Sequence, residues 1–248
     1  MAEKRVAIVT GGAQGIGLAI VRQLSREGAA VVIGDVQQAK AQAAVDQVAA
    51  AGGQAIAVAV DVSREQDVAA LMEQSLAAYG QIDVLINNAG IVQTGPVTAI
   101  TESAWEKVMQ INVKGVFLTC RAVLPLMMTR RQGWILNVAS VAGKRGGGLL
   151  GNSCYAASKG AVIAFTKSLA REAAPHGIIV NALTPALTDT QMTSGLSDEQ
   201  RQAILGQIPL KRAAKAEEVA AAACFLVSDQ ASFIVGEIMD VDGGLMMD

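Results

Sequence analysis

The sequence predicts an α/β protein: a doubly wound parallel sheet with helices on both faces, in a single domain spanning residues 1–248. Short runs rich in β-branched residues alternate with longer helical patterns along the whole chain. No linker or low-complexity stretch interrupts that alternation. The chain has 248 residues, of which 52% are apolar and 17% charged, so it can bury one large core.

Composition and charge exclude several classes of protein. The net charge is −2, and no basic cluster or Lys/Arg-rich amphipathic helix indicates a nucleic-acid or membrane partner. No uninterrupted apolar run approaches the ~18 residues of a spanning helix, and the N-terminus lacks the pattern of a signal peptide. The scattered Cys120, Cys154 and Cys224 favour free thiols in a reducing cytoplasm. One histidine, His176, is too few for a histidine-based zinc site, so we expect no metal.

The chain opens with a strand, a glycine-rich turn and a helix. Val6–Thr10 is short and β-branched, as in a buried parallel strand. Gly11, Gly15 and Gly17 follow, and then an apolar helical pattern. Glycines there let the backbone approach a pyrophosphate, to which the helix N-terminus offers N–H groups. A tight turn without a ligand is the alternative explanation.

The remaining elements follow in alternation. The predicted strands are 31–35, 56–60, 82–87, 134–139, 178–183 and 237–241. The predicted helices are 39–51, one opened by Asp61-Val62-Ser63 as N-cap, a long stretch over 101–129 with Asn112 in its middle, one carrying Tyr155 and Lys159, and 216–227. A glycine-rich loop is predicted over 143–151. Residues 186–210 are predicted to be a substrate loop with a short helix over 197–205.

Polar and glycine residues collect where the predicted strands end. The first, second, fourth and fifth strands end at Gly11, Asp35, Asn87 and Ser140. Ligands of such sheets bind at this carboxyl edge, so we expect the binding site there. Asp35 lies about 20 residues past the glycines, where a ribose-binding carboxylate is expected. A strand-end aspartate that closes the next turn is the alternative.

Tyr155 and Lys159 are four residues apart and share one face of a helix. A free phenol has a pKa of about 10, and a nearby ammonium lowers it. A hydroxyl from Ser140 could hold a substrate oxygen beside the phenol. The three residues predict a proton-transfer site for an alcohol or a carbonyl. An ordinary solvated helix face is the alternative for the Tyr–Lys pair alone.

Five motifs occur in one order over nearly the whole chain. They are Thr10-Gly11-x-x-x-Gly15-x-Gly17, Asn87-Asn88-Ala89-Gly90, Asn112, Ser140 and Tyr155-x-x-x-Lys159. Together they resemble the short-chain dehydrogenase/reductase family. The resemblance implies a Rossmann-type fold, NAD as the cofactor and hydride transfer between the nicotinamide and a secondary alcohol or ketone. It also implies a homotetramer.

The resemblance further implies a role for each motif residue. Tyr155 would be the general acid/base, and Lys159 would lower its pKa and hold the nicotinamide ribose. Ser140 would orient the substrate oxygen, and Asn112 would hold a water of a proton relay. The implied cofactor contacts are Gly11, Gln14, Gly15, Ile16, Gly17, Asp35, Asp61, Val62, Asn88, Tyr155, Lys159, Thr188 and Thr190.

Ser140 and Tyr155 stand two residues further apart than in most members of that family, which makes Ser153 a second candidate serine. We prefer Ser140, because Ser153 lies where it could cap the helix that carries Tyr155.

The sequence also bears on cofactor and substrate. Asp35, with Gln14 where many NADP-using members are basic, predicts a strong preference for NAD. Arg5 and Lys40 are the nearest basic residues in sequence. The preferred substrate is a polyol, sugar or other small secondary alcohol. A ketoreductase similar to 3-oxoacyl-carrier-protein reductases is the alternative, and a non-catalytic nucleotide-binding regulator is a third, weaker one.

Overall fold

The fold is a parallel sheet covered by helices on both faces. A computed structural model describes residues 4–147 and 152–247. Within those residues the strands are β1 (Val6–Thr10), β2 (Ala30–Asp35), β3 (Gln54–Ala59), β4 (Val84–Asn87), β5 (Gly133–Val138), β6 (Ile178–Pro185), β7 (Thr188–Asp189), β8 (Ala214–Lys215) and β9 (Ile238–Val241). The α-helices there are α1 (Gly15–Arg26), α2 (Gln38–Ala50), α3 (Glu65–Tyr79), α4 (Glu102–Met109), α5 (Gly115–Arg130), α6 (Val141–Arg145), α7 (Ser153–Ala173), α8 (Asp198–Gln207) and α9 (Ala216–Leu226).

Seven strands form the main sheet in the order β3-β2-β1-β4-β5-β6-β9, and every neighbouring pair is parallel. The order reverses at β1, which pairs with β2 on one side and with β4 on the other. A crevice for a ligand opens at such a switch point, beyond the carboxyl ends of the strands. The predicted fold class is therefore confirmed.

Two apolar layers hold the helices to the sheet. On one face, residues of α1, α2 and α9 pack with β1, β2 and β5, and Ile20 and Ile33 are fully buried there. On the other face, α3, α5 and α7 pack around Leu71, Leu85 and Ile135. Both faces of the central strands are thus buried, which explains why their sequences are continuous apolar runs rather than alternating ones.

The predicted long helix over 101–129 is two helices joined by one turn of π-helix, Gln110–Lys114. Within the described residues, this stretch is the one helix long and apolar enough to cross a membrane by length and composition. Val123 and Met127 are fully buried in the core layer that α5 forms with the sheet. Core packing therefore accounts for part of its apolar composition.

Two predicted N-caps are wrong. The structure begins α3 at Glu65, because the Asp61 carboxylate accepts hydrogen bonds from the N–H and hydroxyl of Ser63 and closes a turn before the helix. At α7, the capping residue is Asn152, whose Oδ1 accepts from two backbone N–H groups of the first turn. Ser153 is the first helical residue and is exposed.

Part of the predicted glycine-rich loop is helical. Ser140 Oγ accepts a hydrogen bond from the Ala142 N–H at 3.1 Å and so caps α6. Gly146, with φ of 86°, ends that helix in the left-handed conformation. Residues 148–151 of the predicted loop lie outside the described residues.

A buried polar network ties the middle strands to the helices beneath the carboxyl edge. Asn87 Nδ2 donates to Asn137 Oδ1 at 2.9 Å, and Asn137 Nδ2 donates to Thr166 Oγ1 at 2.9 Å. The Thr119 hydroxyl donates to Asn87 Oδ1 at 2.7 Å. All four side chains are buried. The network fixes β4, β5, α5 and α7 relative to one another, and a fully satisfied network of this kind rigidifies its surroundings.

Asn137→Leu should destabilise the fold, because it removes the amide through which Asn87 and Thr166 are joined. Leaving buried polar groups without this partner costs about 2–4 kcal/mol of unfolding free energy. Denaturant unfolding measures the loss. Thr129→Ala, which removes an exposed hydroxyl from α5, should stay within about 0.5 kcal/mol of the wild type. Equal stabilities of the two variants would contradict the role given to the network.

Candidate active site

Two adjoining cavities open at the carboxyl edge of the sheet and share six lining residues. The first, here called the catalytic cavity, is lined by Ser140, Tyr155, Lys159, Leu187 and Met192 among others. The second, here called the cofactor cleft, is lined by Gly11, Gln14, Asp35, Asp61 and Val62 among others. The structure therefore brings the predicted proton-transfer residues next to the predicted nucleotide-binding residues.

Lys159 is buried, with 5% of its surface exposed, and its Nζ donates to the Val138 carbonyl oxygen at 2.7 Å. The same Nζ lies 5.9 Å from the centre of the Tyr155 ring. Burial lowers the pKa of Lys159 to about 8. The amine is therefore charged at neutral pH and can change its protonation state just above it.

Burial raises the pKa of the Tyr155 phenol, and a hydrogen bond with Ser140 offsets part of that increase. The Tyr–Lys spacing predicts a lowered pKa for Tyr155, caused by Lys159. The structure gives the opposite direction, because desolvation is the largest cause. The phenol consequently keeps its proton at neutral pH, which suits a group that donates a proton.

Ser140 lies in the catalytic cavity at the end of β5, whereas Ser153 does not line it. The Ser140 oxygen accepts from the Ala142 N–H, and the same side chain is hydrogen-bonded to the Tyr155 phenol. A substrate oxygen held beside the phenol would lie within reach of this hydroxyl as well. This placement supports the preference for Ser140 over Ser153.

Close contact between α6 and α7 fixes the distance between Ser140 and Lys159. A Cβ added at Gly143 would lie 2.6 Å from the Lys159 carbonyl carbon and 2.7 Å from the Gly160 nitrogen. Only glycine at position 143 therefore lets the two helices approach this closely. The helix that follows Ser140 is thus held directly against the backbone of Lys159.

Asn112 does not line either cavity; its side chain is buried behind them. Its Oδ1 accepts from the Ile91 N–H at 2.9 Å, and its Nδ2 donates to the Ile91 carbonyl at 2.9 Å and to Ser158 Oγ at 3.0 Å. The Ser158 hydroxyl donates in turn to the Tyr155 carbonyl oxygen at 2.7 Å. The Asn112 side chain thus joins the segment after β4 to the helix of Tyr155, and its relay role stays a prediction.

The glycine turn fits the pyrophosphate of a dinucleotide. Gly11 and Gly15 have φ of 63° and 56°, a left-handed conformation that favours glycine. No side chain caps α1 and its first turn carries no acidic residue, so its N–H groups can bind an anion. Asn88 Nδ2 supports the turn by donating to the carbonyls of Thr10 and Gly11 at 3.1 and 2.9 Å.

Asp35 lies on the floor of the cofactor cleft, with 6% of its surface exposed. Its carboxylate accepts from the Ala13 N–H at 3.1 Å and from the Gln37 N–H at 2.9 Å. The alternative explanation thus holds, since the carboxylate closes the turn after β2. Asp35 also faces the cleft, and its ribose-binding role stays a prediction. A carboxylate has about four acceptor sites, so capacity for ribose hydroxyls remains.

The two nearest basic residues in sequence have different surroundings. The Arg5 guanidinium donates to the Val227 carbonyl, pairs with Asp229 and stacks over the Trp134 ring at 4.3 Å, away from the cleft. Lys40 Nζ donates to Gln14 Oε1 at 3.0 Å, and Gln14 lines the cleft. Of the two, Lys40 is therefore the basic residue that reaches a residue of the cleft.

The predicted substrate loop covers the junction of the two cavities. Thr188 and Thr190 line the catalytic cavity, and Thr190 lies 3.4 Å from where a Cβ of Gly15 would be. The loop has its own small core of Leu187, Ile204, Ile208 and Ala213, and β7 pairs with β8 at its base.

Some residues that position the site have no strong signal in the sequence. The Val138 carbonyl is a backbone group, so no residue type marks it. Gly143 stood in a run of glycines that predicted only a loop. Ser158 could have been noticed as a small polar residue beside Lys159 on a helix that packs against Asn112.

Comparisons with known proteins show similarity over nearly the whole chain. A family model described as enoyl-(acyl carrier protein) reductase matches residues 11–246. The 3-oxoacyl-[acyl-carrier-protein] reductase FabG of Escherichia coli is 39% identical over 245 residues, covering 99% of this chain and 98% of that protein. The protein of the same name from Thermotoga maritima is 38% identical over 245 residues, covering 99% of both chains.

Solved structures give the same result. The crystal structure of gox2181 is 36% identical with a TM-score of 0.95, covering 98% of this chain and 96% of that one. The crystal structure of 3-ketoacyl-(acyl-carrier-protein) reductase from Brucella melitensis complexed with NADH is 36% identical with a TM-score of 0.91, covering 99% of both chains. The similarity therefore extends over both cavities and the substrate loop.

Gly143→Ala should destabilise the protein by about 1–3 kcal/mol, because its methyl group would collide with the backbone of Lys159 and Gly160. Gly160→Ala is the matched control on the other side of the same contact. Its methyl group would lie 3.4 Å from the Gly143 carbonyl oxygen. Alanine also favours a helix by up to about 1 kcal/mol, so this variant should be neutral or more stable. Denaturant unfolding of both variants tests the contact, and equal losses would contradict it.

Proposed function

The chain belongs to the short-chain dehydrogenase/reductase family of oxidoreductases, and on that premise we propose that it reduces the ketone of a 3-oxoacyl thioester to the secondary alcohol. The relatives named above support this reading, which the sequence offered as the alternative. They give no support to the polyol or sugar dehydrogenase that the sequence favoured.

The apolar lining of the catalytic cavity is the observation that carries the proposal. Val92, Val141, Ala142, Leu187 and Met192 form much of its wall, and Lys159 is the one charged side chain among the described residues that line it. A polyol would leave hydroxyl groups without partners on such a wall, at a cost of about 1–3 kcal/mol for each group. An acyl chain gains about 0.8 kcal/mol for every methylene group buried there.

The proton chemistry supports the reducing direction. A ketone that gains a hydride at carbon needs a proton at oxygen, and the Tyr155 phenol holds one because burial raises its pKa. The Ser140 hydroxyl can donate a hydrogen bond to the same oxygen and so orient it. Lys159 keeps a positive charge beside the phenol and stabilises negative charge as the proton leaves. The reduced nicotinamide, when bound, supplies the hydride.

We further propose NAD(H) as the preferred cofactor. The Asp35 carboxylate can accept hydrogen bonds from ribose hydroxyls, and it would repel a 2′-phosphate carrying about −1.5 to −2 charges. The NADH in the Brucella melitensis relative's structure is consistent with this choice. The glycine turn at Gly11 and the uncapped N-terminus of α1 fit the pyrophosphate.

The assembly and location of the protein are also proposals. Trp105 and Phe117 are 40% and 42% exposed on α4 and α5, and Phe233 is fully exposed shortly before β9. The family resemblance implies a homotetramer, and subunit contacts would cover such exposed aromatic side chains. We therefore propose a homotetramer, which sedimentation analysis would test against a monomer. A cytoplasmic location is proposed from the free cysteines Cys120, Cys154 and Cys224, which favour a reducing compartment.

The acetoacetyl thioester of N-acetylcysteamine and its longer 3-oxoacyl homologues test the proposed activity. With NADH, kcat/KM should rise by up to about fourfold for each added methylene until the cavity is filled. It should exceed the value for any polyol or sugar offered with NAD by at least about a hundredfold. The absorbance of the reduced nicotinamide reports both reactions.

Tyr155→Phe is the control for this experiment, because it removes the phenol proton and keeps the ring. Turnover should fall by about 10²–10⁴-fold while cofactor binding is retained. Faster oxidation of a polyol than reduction of every thioester would rule out the proposed substrate class. Binding of NADH without turnover of any substrate would support the non-catalytic alternative.

A further inference from the structure

We propose that Lys40 is a binding residue for the 2′-phosphate of NADP(H), which gives this cleft a second cofactor despite Asp35. The inference rests on the proposed function, because it concerns the cofactor of that same site. Lys40 lies in the first turn of α2, is exposed, and donates to Gln14 Oε1 at 3.0 Å. That bond brings its ammonium group from α2 across to the glycine turn.

The charge distribution in the cleft makes this ammonium important. Among the described residues that line the cleft, the charged ones are Asp35 and Asp61. Asp61 is engaged by Ser63, and Asp35 is held on the floor by the N–H groups of Ala13 and Gln37. Without a cation at the rim, a phosphate beside Asp35 would meet only like charge.

Lys40 can leave its present partner at little cost. Gln14 offers a neutral amide oxygen at the surface, and a hydrogen bond of that kind is worth about 0.5–1.5 kcal/mol. A phosphate offers close to two negative charges and three acceptor oxygens. An ammonium on a flexible four-carbon side chain can therefore exchange the amide for the phosphate. Gln14 then holds Lys40 at the rim when no phosphate is present.

Asp35 and Lys40 together would set the cofactor preference. Asp35 favours NAD(H) through the ribose hydroxyls, and Lys40 recovers part of the affinity for NADP(H). We therefore expect a moderate preference for NAD(H) rather than the strong one that Asp35 and Gln14 predict from sequence alone. Lys40 is hydrogen-bonded to Gln14, whereas Asp35 is held by the N–H groups of Ala13 and Gln37. Removing the Lys40 ammonium should therefore leave NAD(H) binding intact.

Equilibrium titration followed by the fluorescence of bound NADH and NADPH tests the proposal without any substrate. Lys40→Met should raise the Kd for NADPH about tenfold and that for NADH less than twofold. Lys40→Arg keeps the charge and should restore most of the NADPH affinity. Lys4→Met is the matched control, because Lys4 is also exposed and donates to a glutamine, Gln54 Oε1, at 3.1 Å. It should change neither Kd.

Salt gives a second measurement. Added salt should weaken the binding of NADPH more than that of NADH in the wild type, and Lys40→Met should remove the difference. An equal effect of Lys40→Met on both cofactors, or no NADPH binding by the wild type while NADH binds, would overturn the role of Lys40 and leave the proposed ketoreductase standing. Failure of NADH itself to bind would instead contradict the proposed function.

Discussion

The site depends on the burial of one ammonium group, that of Lys159, at the carboxyl end of β5. A charge taken out of water is costly unless hydrogen bonds compensate it, and the Val138 carbonyl is the partner the structure provides at 2.7 Å. The pKa of Lys159 is still lowered, which shows that this hydrogen bond does not compensate the whole free-energy cost of burying the charge. The same dry surroundings raise the pKa of Tyr155. One constraint thus produces a protonated phenol beside a cation at neutral pH.

The surrounding structure keeps that arrangement rigid. Gly143 allows α6 to rest on the backbone of Lys159, so Ser140 and Lys159 cannot move apart without separating two helices. Asn112 and Ser158 join the π-helical turn to the carbonyl of Tyr155. The substrate loop, in contrast, has a small core of its own, and its strand β7 pairs with β8 in a separate two-stranded sheet.

The sequence predicted the sheet and the residues of the catalytic cavity because each leaves a local pattern. Buried parallel strands are apolar runs, and the strand ends carry Gly11, Asp35 and Ser140. The sequence did not predict the features that depend on contacts between residues distant in the chain. The direction of the Tyr155 pKa shift depends on burial, which a Tyr–Lys spacing does not report. The Lys40–Gln14 contact joins residues 26 positions apart, and no residue type marks it.

The pH dependence of kcat/KM for NADH in the reduction of a 3-oxoacyl thioester tests the central claim most directly, because it reports the essential groups of the free enzyme. Burial places the pKa of Lys159 at about 8, so the amine loses its proton above that pH. We predict that kcat/KM falls by about tenfold per pH unit above pH 8 in the wild type. In Lys159→Arg, whose guanidinium stays charged, this fall with pH should disappear. A wild-type profile that stays flat to pH 10 would show that the buried ammonium is not what the site depends on.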